Sequence, residues 1–245
     1  MVAAAITPTV KLKRTFYVGL SLFCALIAFV GFWPSYFGPA VVGTFEHPAI
    51  IHIHATVYVG WLVLFIFQAW FAATGRLGLH MQIGNLAIYY GVLVIVVGLM
   101  VNFGMFYIRV RADQLAQTQN VFLGIGALLD MIVFAPFFGA AIYFRKVPEL
   151  HKRLMIVATT SLLIAAVGRM WFWDTPQNLW LVYVLWTSPI LIAMAYDLVR
   201  RRILHPVYVT GLAVLALESP VVRQIIRETE SWIAFNGWLA RIVSG

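Results

Sequence analysis

Along most of this chain, apolar residues run almost unbroken for about 20 positions, stop at a short cluster of proline, glycine or basic residues, and then resume. A helix needs about 20 apolar residues to cross ~30 Å of hydrocarbon. The pattern therefore predicts transmembrane helices, apolar all round, rather than half-buried strands or one-faced helices. Seven spans are expected, at residues 15–33, 49–74, 84–107, 121–144, 154–173, 179–198 and 207–226. The seventh is interrupted by Glu218, Pro220 and Arg223, which leaves six spans plus a re-entrant or interfacial segment as the rival count. The tail at 231–243 spaces Trp232, Phe235, Trp238, Leu239 and Ile242 as an amphipathic interfacial helix would. The fold class is all-α, a polytopic transmembrane bundle forming one integral membrane domain over residues 1–245.

The connections follow from the same reading. Residues 35–47 are rich in glycine, proline and aromatics and suit the membrane interface, and GRLGLHMQI reads as a short turn before span three. The stretch IRVRADQLAQTQ is an exposed helix or loop, RKVPELHKR a tight basic loop, and DTPQN a turn. Pro136 and Pro189 lie inside spans four and six, where kinks are expected.

Composition agrees: 62% of residues are hydrophobic, 11% are charged, and mean hydropathy is +0.91, whereas a soluble domain carries about 25% charged residues. The net charge of +8 needs no nucleic-acid partner, because its distribution accounts for it. With a cytoplasmic N-terminus, Lys11, Lys13, Arg14, Arg76, Arg145, Lys146, Lys152, Arg153, Arg200, Arg201 and Arg202 fall inside. Arg109, Arg111, Arg223, Arg227 and Arg241 fall outside, and Arg169 lies within a span. That asymmetry satisfies the positive-inside rule. Trp33, Trp171, Trp173, Trp180, Trp232 and Trp238 would form an outer aromatic belt. The Ala-rich start and full-length first span read as retained rather than cleaved. Cys24, the lone cysteine, sits in an apolar run, so neither a disulfide framework nor a Cys-based metal site is expected.

Candidate chemistry begins with His54, Trp61 and Gln68. Intervals of seven return a helix to within about 20° of the same face, so these three should form one polar stripe facing protein or a bound molecule, not lipid. Counted from the span ends, His54, Asp130, Arg169 and Glu218 share one layer in the outer half of the bundle, near Trp186, Thr187 and Ser188. An intramembrane ionisable group needs a partner. An Asp130–Arg169 ion pair is the expected one, whether it lines a polar pocket or serves packing alone.

Two histidine groups stand apart. His52 and His54 are about 200° apart on a regular helix, so both meet one metal ion only if an extended entry segment brings in His47. His80, His151 and His205 each precede a span on the basic side. They are either interfacial residues that meet lipid headgroups or pair with Glu149 and Asp197, or, two of them together, ligands of a b-type haem or metal ion held across the bundle. No HExxH, phosphate-binding loop, nucleophile elbow or dinucleotide glycine motif is present. The functional readings left open are a haem or metal redox site, a non-catalytic subunit of a membrane complex or homo-oligomer, and a small-solute or proton transporter.

The pattern HA-x5-W-x6-Q from His54 to Gln68, followed by GR-x3-H-x3-G from Gly75 to Gly84, resembles a widespread group of uncharacterised multi-pass bacterial membrane proteins. HKRLM at 151–155, YDL at 196–198 and HP-x-Y at 205–208 look like the same group. The resemblance covers residues 48–245 and implies a helical fold in a bacterial inner membrane. A looser likeness to cytochrome b-type helical bundles is what suggests haem.

Overall fold

The structure is a computed structural model that describes residues 8–112, 123–170 and 179–245. Its helices are α1 (Pro8–Phe32), α2 (Gly38–Val42), α3 (Ala49–Ala73), α4 (Leu77–Arg111), α5 (Ile125–Tyr143), α6 (Pro148–Ser161), α7 (Ile164–Val167), α8 (Leu179–Arg201), α9 (Pro206–Leu217), α10 (Pro220–Arg227) and α11 (Glu230–Ser244). No strand occurs among the described residues. Seven segments are long and apolar enough to cross a membrane: 15–42, 49–73, 77–111, 125–143, 148–167, 180–201 and 206–227. The architecture is that of a multi-pass helical membrane protein. The expected turn at 174–178, the polar residues 113–119 and the belt residues Trp171 and Trp173 lie outside the described residues.

The span boundaries differ from expectation where a helix outruns its apolar core. The α4 helix takes in most of the expected GRLGLHMQI turn and the first four residues of the polar stretch, for 35 residues in all. It contains no proline, and isolated glycines do not stop a helix that its neighbours hold. At 1.5 Å per residue it is about 50 Å long, so it tilts or projects beyond the hydrocarbon. The expected 35–47 linker is helical as far as Val42, because Trp33–Phe37 forms a π-helical turn that leads into α2. Two thirds of the expected basic loop also belongs to a helix, with Pro148 in the first turn of α6, where its missing N–H costs nothing.

Two spans are broken. After Ser161 the chain tightens into i→i−3 bonds, Leu163 N–H to Thr160 O and Ala166 N–H to Leu163 O, both 3.0 Å. The seventh span divides between α9 and α10 at Glu218–Ser219. Pro220 lacks an N–H and disfavours helical backbone at the residue before it, so the interruption expected from sequence is a real break.

Exposure separates lipid-facing from buried helix faces. On α4 the exposed residues include Leu86, Tyr89, Leu93, Val96, Met100, Phe103 and Tyr107, an alternating spacing of three and four that traces one stripe of the helix. Its opposite side buries Gly91, Val94, Gly98, Asn102 and Phe106. The α6 helix is the buried centre, with an unbroken run from Ile156 to Ser161 enclosed by neighbours that include α5, α8 and α9. Aliphatic side chains from α1, α6, α7 and α8 meet around Cys24, Val157, Val167 and Trp186, and the Trp186 indole N–H donates to Thr160 O at 2.8 Å.

One close approach requires glycine. A Cβ placed on Gly31 of α1 would lie 2.3 Å from the backbone oxygen of Ala166, and a backbone atom cannot swing aside as a side chain can. Gly31→Ala should therefore destabilise the protein by about 1–3 kcal/mol, as overpacking does. Thermal unfolding in detergent measures the loss, and an unchanged midpoint would mean that α1 and α7 part without cost.

The α11 helix matches the expected tail helix. It packs Ala240, Leu239, Trp232 and Val243 on Phe106 and Val110 near the end of α4 and on Leu123 ahead of α5. Its Asn236 is buried, and Asn236 Oδ1 accepts from Leu123 N–H at 2.6 Å. Asn102 of α4 both donates to Gly124 O (3.1 Å) and accepts from Gly124 N–H (2.9 Å). Two asparagines thus pin the entry to α5, five residues before Asp130.

Candidate functional site

At the end of the bundle that holds the α4–α5 connection, three ionisable side chains meet. Arg223 Nη2 donates to Asp130 Oδ1 at 2.6 Å and to Glu218 Oε1 at 2.9 Å. Its Nε donates to Glu218 O at 2.7 Å, a carbonyl freed because the helix stops there. Asp130 sits in the second turn of α5, Glu218 at the α9–α10 break and Arg223 in α10. Glu218 is 2% exposed, and its carboxyl group stands within hydrogen-bonding range of that of Asp130. Gly126 makes room for the guanidinium, since a Cβ there would fall 2.7 Å from Arg223 Nη1. A cleft of about 390 Å³, lined by Gly124, Gly126, Pro220, Arg109, Arg223 and Arg227 among others, opens onto this cluster.

This overturns the expected Asp130–Arg169 pair. Arg169 instead donates through Nη1 to Ala165 O and stacks its guanidinium over Phe32, 5.0 Å from the ring centre. Of the four residues expected to share a layer, Asp130 and Glu218 meet through Arg223, and Arg169 stands within electrostatic range of Asp130 and His54 without pairing with either. The Tyr58 ring lies 4.0 Å from that of His54, and its hydroxyl donates to Val94 O at 3.2 Å.

The stripe on α3 faces inward. Trp61 is 2% exposed and meets Phe134 and Phe138 edge-on, at 5.4 and 5.5 Å. Among the described residues, His54 Nδ1, Trp61 Nε1 and Gln68 Nε2 are all buried without a hydrogen-bond partner. Three orphaned polar atoms at equal intervals on one helix face are costly in a membrane interior and call for water or a ligand between the helices.

The histidines divide differently from the sequence groups. His52 turns away from His54 into a nest with Tyr36 and Phe45, its Nδ1 3.3 Å from the Tyr36 hydroxyl. His47 also packs on Phe45. The HxH pair does not converge, and among the described residues no group of three His, Cys, Asp or Glu side chains could hold a metal ion.

At the opposite end, His80 Nδ1 lies 3.2 Å from Gln68 O and His151 Nδ1 lies 2.8 Å from Ala141 O. The two rings stand 6.3 Å apart at 84°. His205 is separate from them: its Nδ1 accepts from Val207 N–H at 3.3 Å and caps α9. Burial sets the His205 imidazole below its ordinary value, which favours the unprotonated ring that this cap requires.

None of the three histidines takes Glu149 or Asp197 as its hydrogen-bond partner. Those carboxylates belong to arginines. Arg153 and Asp197 are 2% and 1% exposed, and Arg153 Nε and Nη2 donate to Asp197 Oδ2 at 2.8 and 2.5 Å. Arg153 Nη1 donates to Glu149 Oε2 at 2.6 Å, Arg201 binds the same oxygen, and Lys152 reaches Oε1 at 2.7 Å. Arg153 also lies 5.8 Å from the ring centre of the fully buried Tyr208. The HKRLM, YDL and HP-x-Y motifs thus meet in one ion-pair node that ties α6, α8 and α9 together.

Sequence reasoning missed Arg223, Arg153 and Asp197 as site or node residues. Arg223 carries a sequence signal, an arginine one turn beyond a Glu-Ser-Pro break, but by position it reads first as an outer-side charge. Comparison with family models, curated proteins and solved structures finds no match to this chain.

Proposed function

We propose that this protein is a proton-conducting or proton-coupled transporter of a bacterial inner membrane, with the Asp130–Glu218 carboxyl pair as its proton-exchanging element. One observation carries the reading: two carboxyl groups share a single guanidinium nitrogen inside the helix bundle. With both carboxylates ionised the trio has a net charge of minus one, and one added proton makes it neutral. A low-dielectric interior penalises uncompensated charge heavily, so proton uptake and release change the energy of this cluster more than that of any exposed pair. Intramembrane carboxylates and histidines recur in proton relays for this reason. The cleft beside Arg223 supplies access from one end.

The path away from the cluster follows α3. His54 and Asp130 are both within electrostatic range of Arg169, and Trp61 and Gln68 continue the His54 face with polar atoms unpartnered among the described residues. Each seven-residue step rises about 10 Å, too far for direct hydrogen bonds and suited to bridging water. At its far end Gln68 O meets His80. The broken seventh span supports the same reading, because interrupted helices inside membranes are tolerated where they line a site or cavity.

Reconstitution into vesicles enclosing a pH-sensitive dye tests the proposal. Under an imposed potassium diffusion potential, wild-type vesicles should acidify at least tenfold faster than empty ones. Glu218→Gln and Asp130→Asn should fall to the empty-vesicle rate while keeping their unfolding midpoints. Equal rates in wild-type and empty vesicles would overturn the reading.

A further inference from the structure

We infer that His80 and His151 form a two-imidazole site for a transition metal at the end of the bundle that holds the α5–α6 connection. The hydrogen bonds carry the first part of the argument. A carbonyl oxygen can only accept, so each Nδ1 must be the protonated nitrogen when it bonds Gln68 O or Ala141 O. In the neutral ring Nε2 then bears the free lone pair, and it has no hydrogen-bond partner among the described residues. Donation of one ring N–H to a backbone carbonyl is how proteins orient an imidazole whose other nitrogen binds metal.

Spacing carries the second part. An ion about 2.0–2.1 Å from each nitrogen places each ring centre about 3 Å from the metal, so two rings sharing one ion stand about 5–6 Å apart. The observed separation is 6.3 Å. Four helices fix the pair: His80 begins α4, His151 begins α6, and their anchoring carbonyls belong to α3 and α5. Both rings are half-buried, so an ion can reach them.

With two protein ligands, the remaining coordination positions stay open to water or a further ligand. Imidazole nitrogen suits copper, zinc and iron. The metal arrives either as a free copper or zinc ion or as the iron of a b-type haem, and bis-imidazole ligation is common to both. This inference shares His80 with the far end of the proposed proton path but rests on neither Asp130 nor Glu218, so metal binding and proton flux fail separately.

The purified, detergent-solubilised full chain should be titrated separately with Zn(II), Cu(II) and haemin. His80→Asn and His151→Asn are the informative variants, because an amide N–H can keep the bond to the carbonyl while Nε2 is lost. Retention of one equivalent of Zn(II) or Cu(II), with affinity at least tenfold weaker in either variant, supports a free-ion site. A low-spin haem spectrum that both variants abolish supports haem iron instead. Cu(II) paramagnetic resonance on the wild-type protein needs no variant and should show coupling to two imidazole nitrogens. Absence of imidazole coupling together with binding unchanged in both variants, or absence of any binding, would overturn the inference.

Discussion

Arg153→Met is expected to destabilise the protein by about 3–5 kcal/mol, the range for stripping one partner from a buried ion pair. Asp197 is 1% exposed, and its remaining cationic neighbour is Arg201, whose Nε stands 3.7 Å from Oδ1. Most of the penalty comes from the stranded carboxylate rather than from the contact removed. Arg153→Met combined with Asp197→Leu should therefore recover most of the loss, because well-packed apolar residues often replace a buried pair at little cost. Chemical unfolding in mixed micelles, followed by tryptophan fluorescence, gives both values. A double variant as unstable as the single would assign the loss to packing of the guanidinium over Tyr208. Glu149 is a poor substitute target, since it is 48% exposed and shared by Lys152, Arg153 and Arg201. Glu149→Gln should cost no more than about 1 kcal/mol, as partly exposed pairs do.

The second large effect is an asymmetry within the Asp130–Arg223–Glu218 trio. Arg223→Leu leaves two carboxyl groups facing each other without their shared donor, and a loss of about 3 kcal/mol or more is expected. Glu218→Gln leaves one carboxylate on one guanidinium, a balanced pair in which the new amide oxygen can still accept from Nη2. That variant should unfold within about 1 kcal/mol of wild type while abolishing proton flux in vesicles. The two measurements separate the roles, since a purely structural trio would lose stability on either change and would have no flux to lose. Equal destabilisation by Arg223→Leu and Glu218→Gln would remove the charge-balance argument on which the proton reading rests.

Legibility in the sequence varied with the range of the interaction. The His54–Trp61–Gln68 face could be read because helical period is local, and Trp61 lies in the core as that period requires. Distances counted from the span ends group Asp130 with Arg169 and Glu218, and Asp130 lies within electrostatic range of both. The pairing among them could not be read that way. Arg169 and Arg223 carry the same charge at compatible depths, so nothing in their local sequence ranks one above the other for Asp130. His80 and His151 were named together as candidates, but the carbonyls that orient their rings belong to residues 12 and 10 positions away on other helices. Backbone oxygens leave no trace in side-chain patterns.

Residue order alone accounts for the all-α class, the seven spans and the break before Pro220. Those features depend on local quantities: the length of an apolar run against the bilayer, and the missing N–H of proline. Tertiary structure decided which helix lies at the centre, which arginine holds Asp130, and which motifs form the Arg153–Asp197 node. Outside the polar stripe on α3 most spans are apolar nearly all round, so their apolar pattern does not say which face meets lipid and which meets another helix. Only the packing of α10 against α5, 93 residues apart at the Arg223–Asp130 contact, makes that choice.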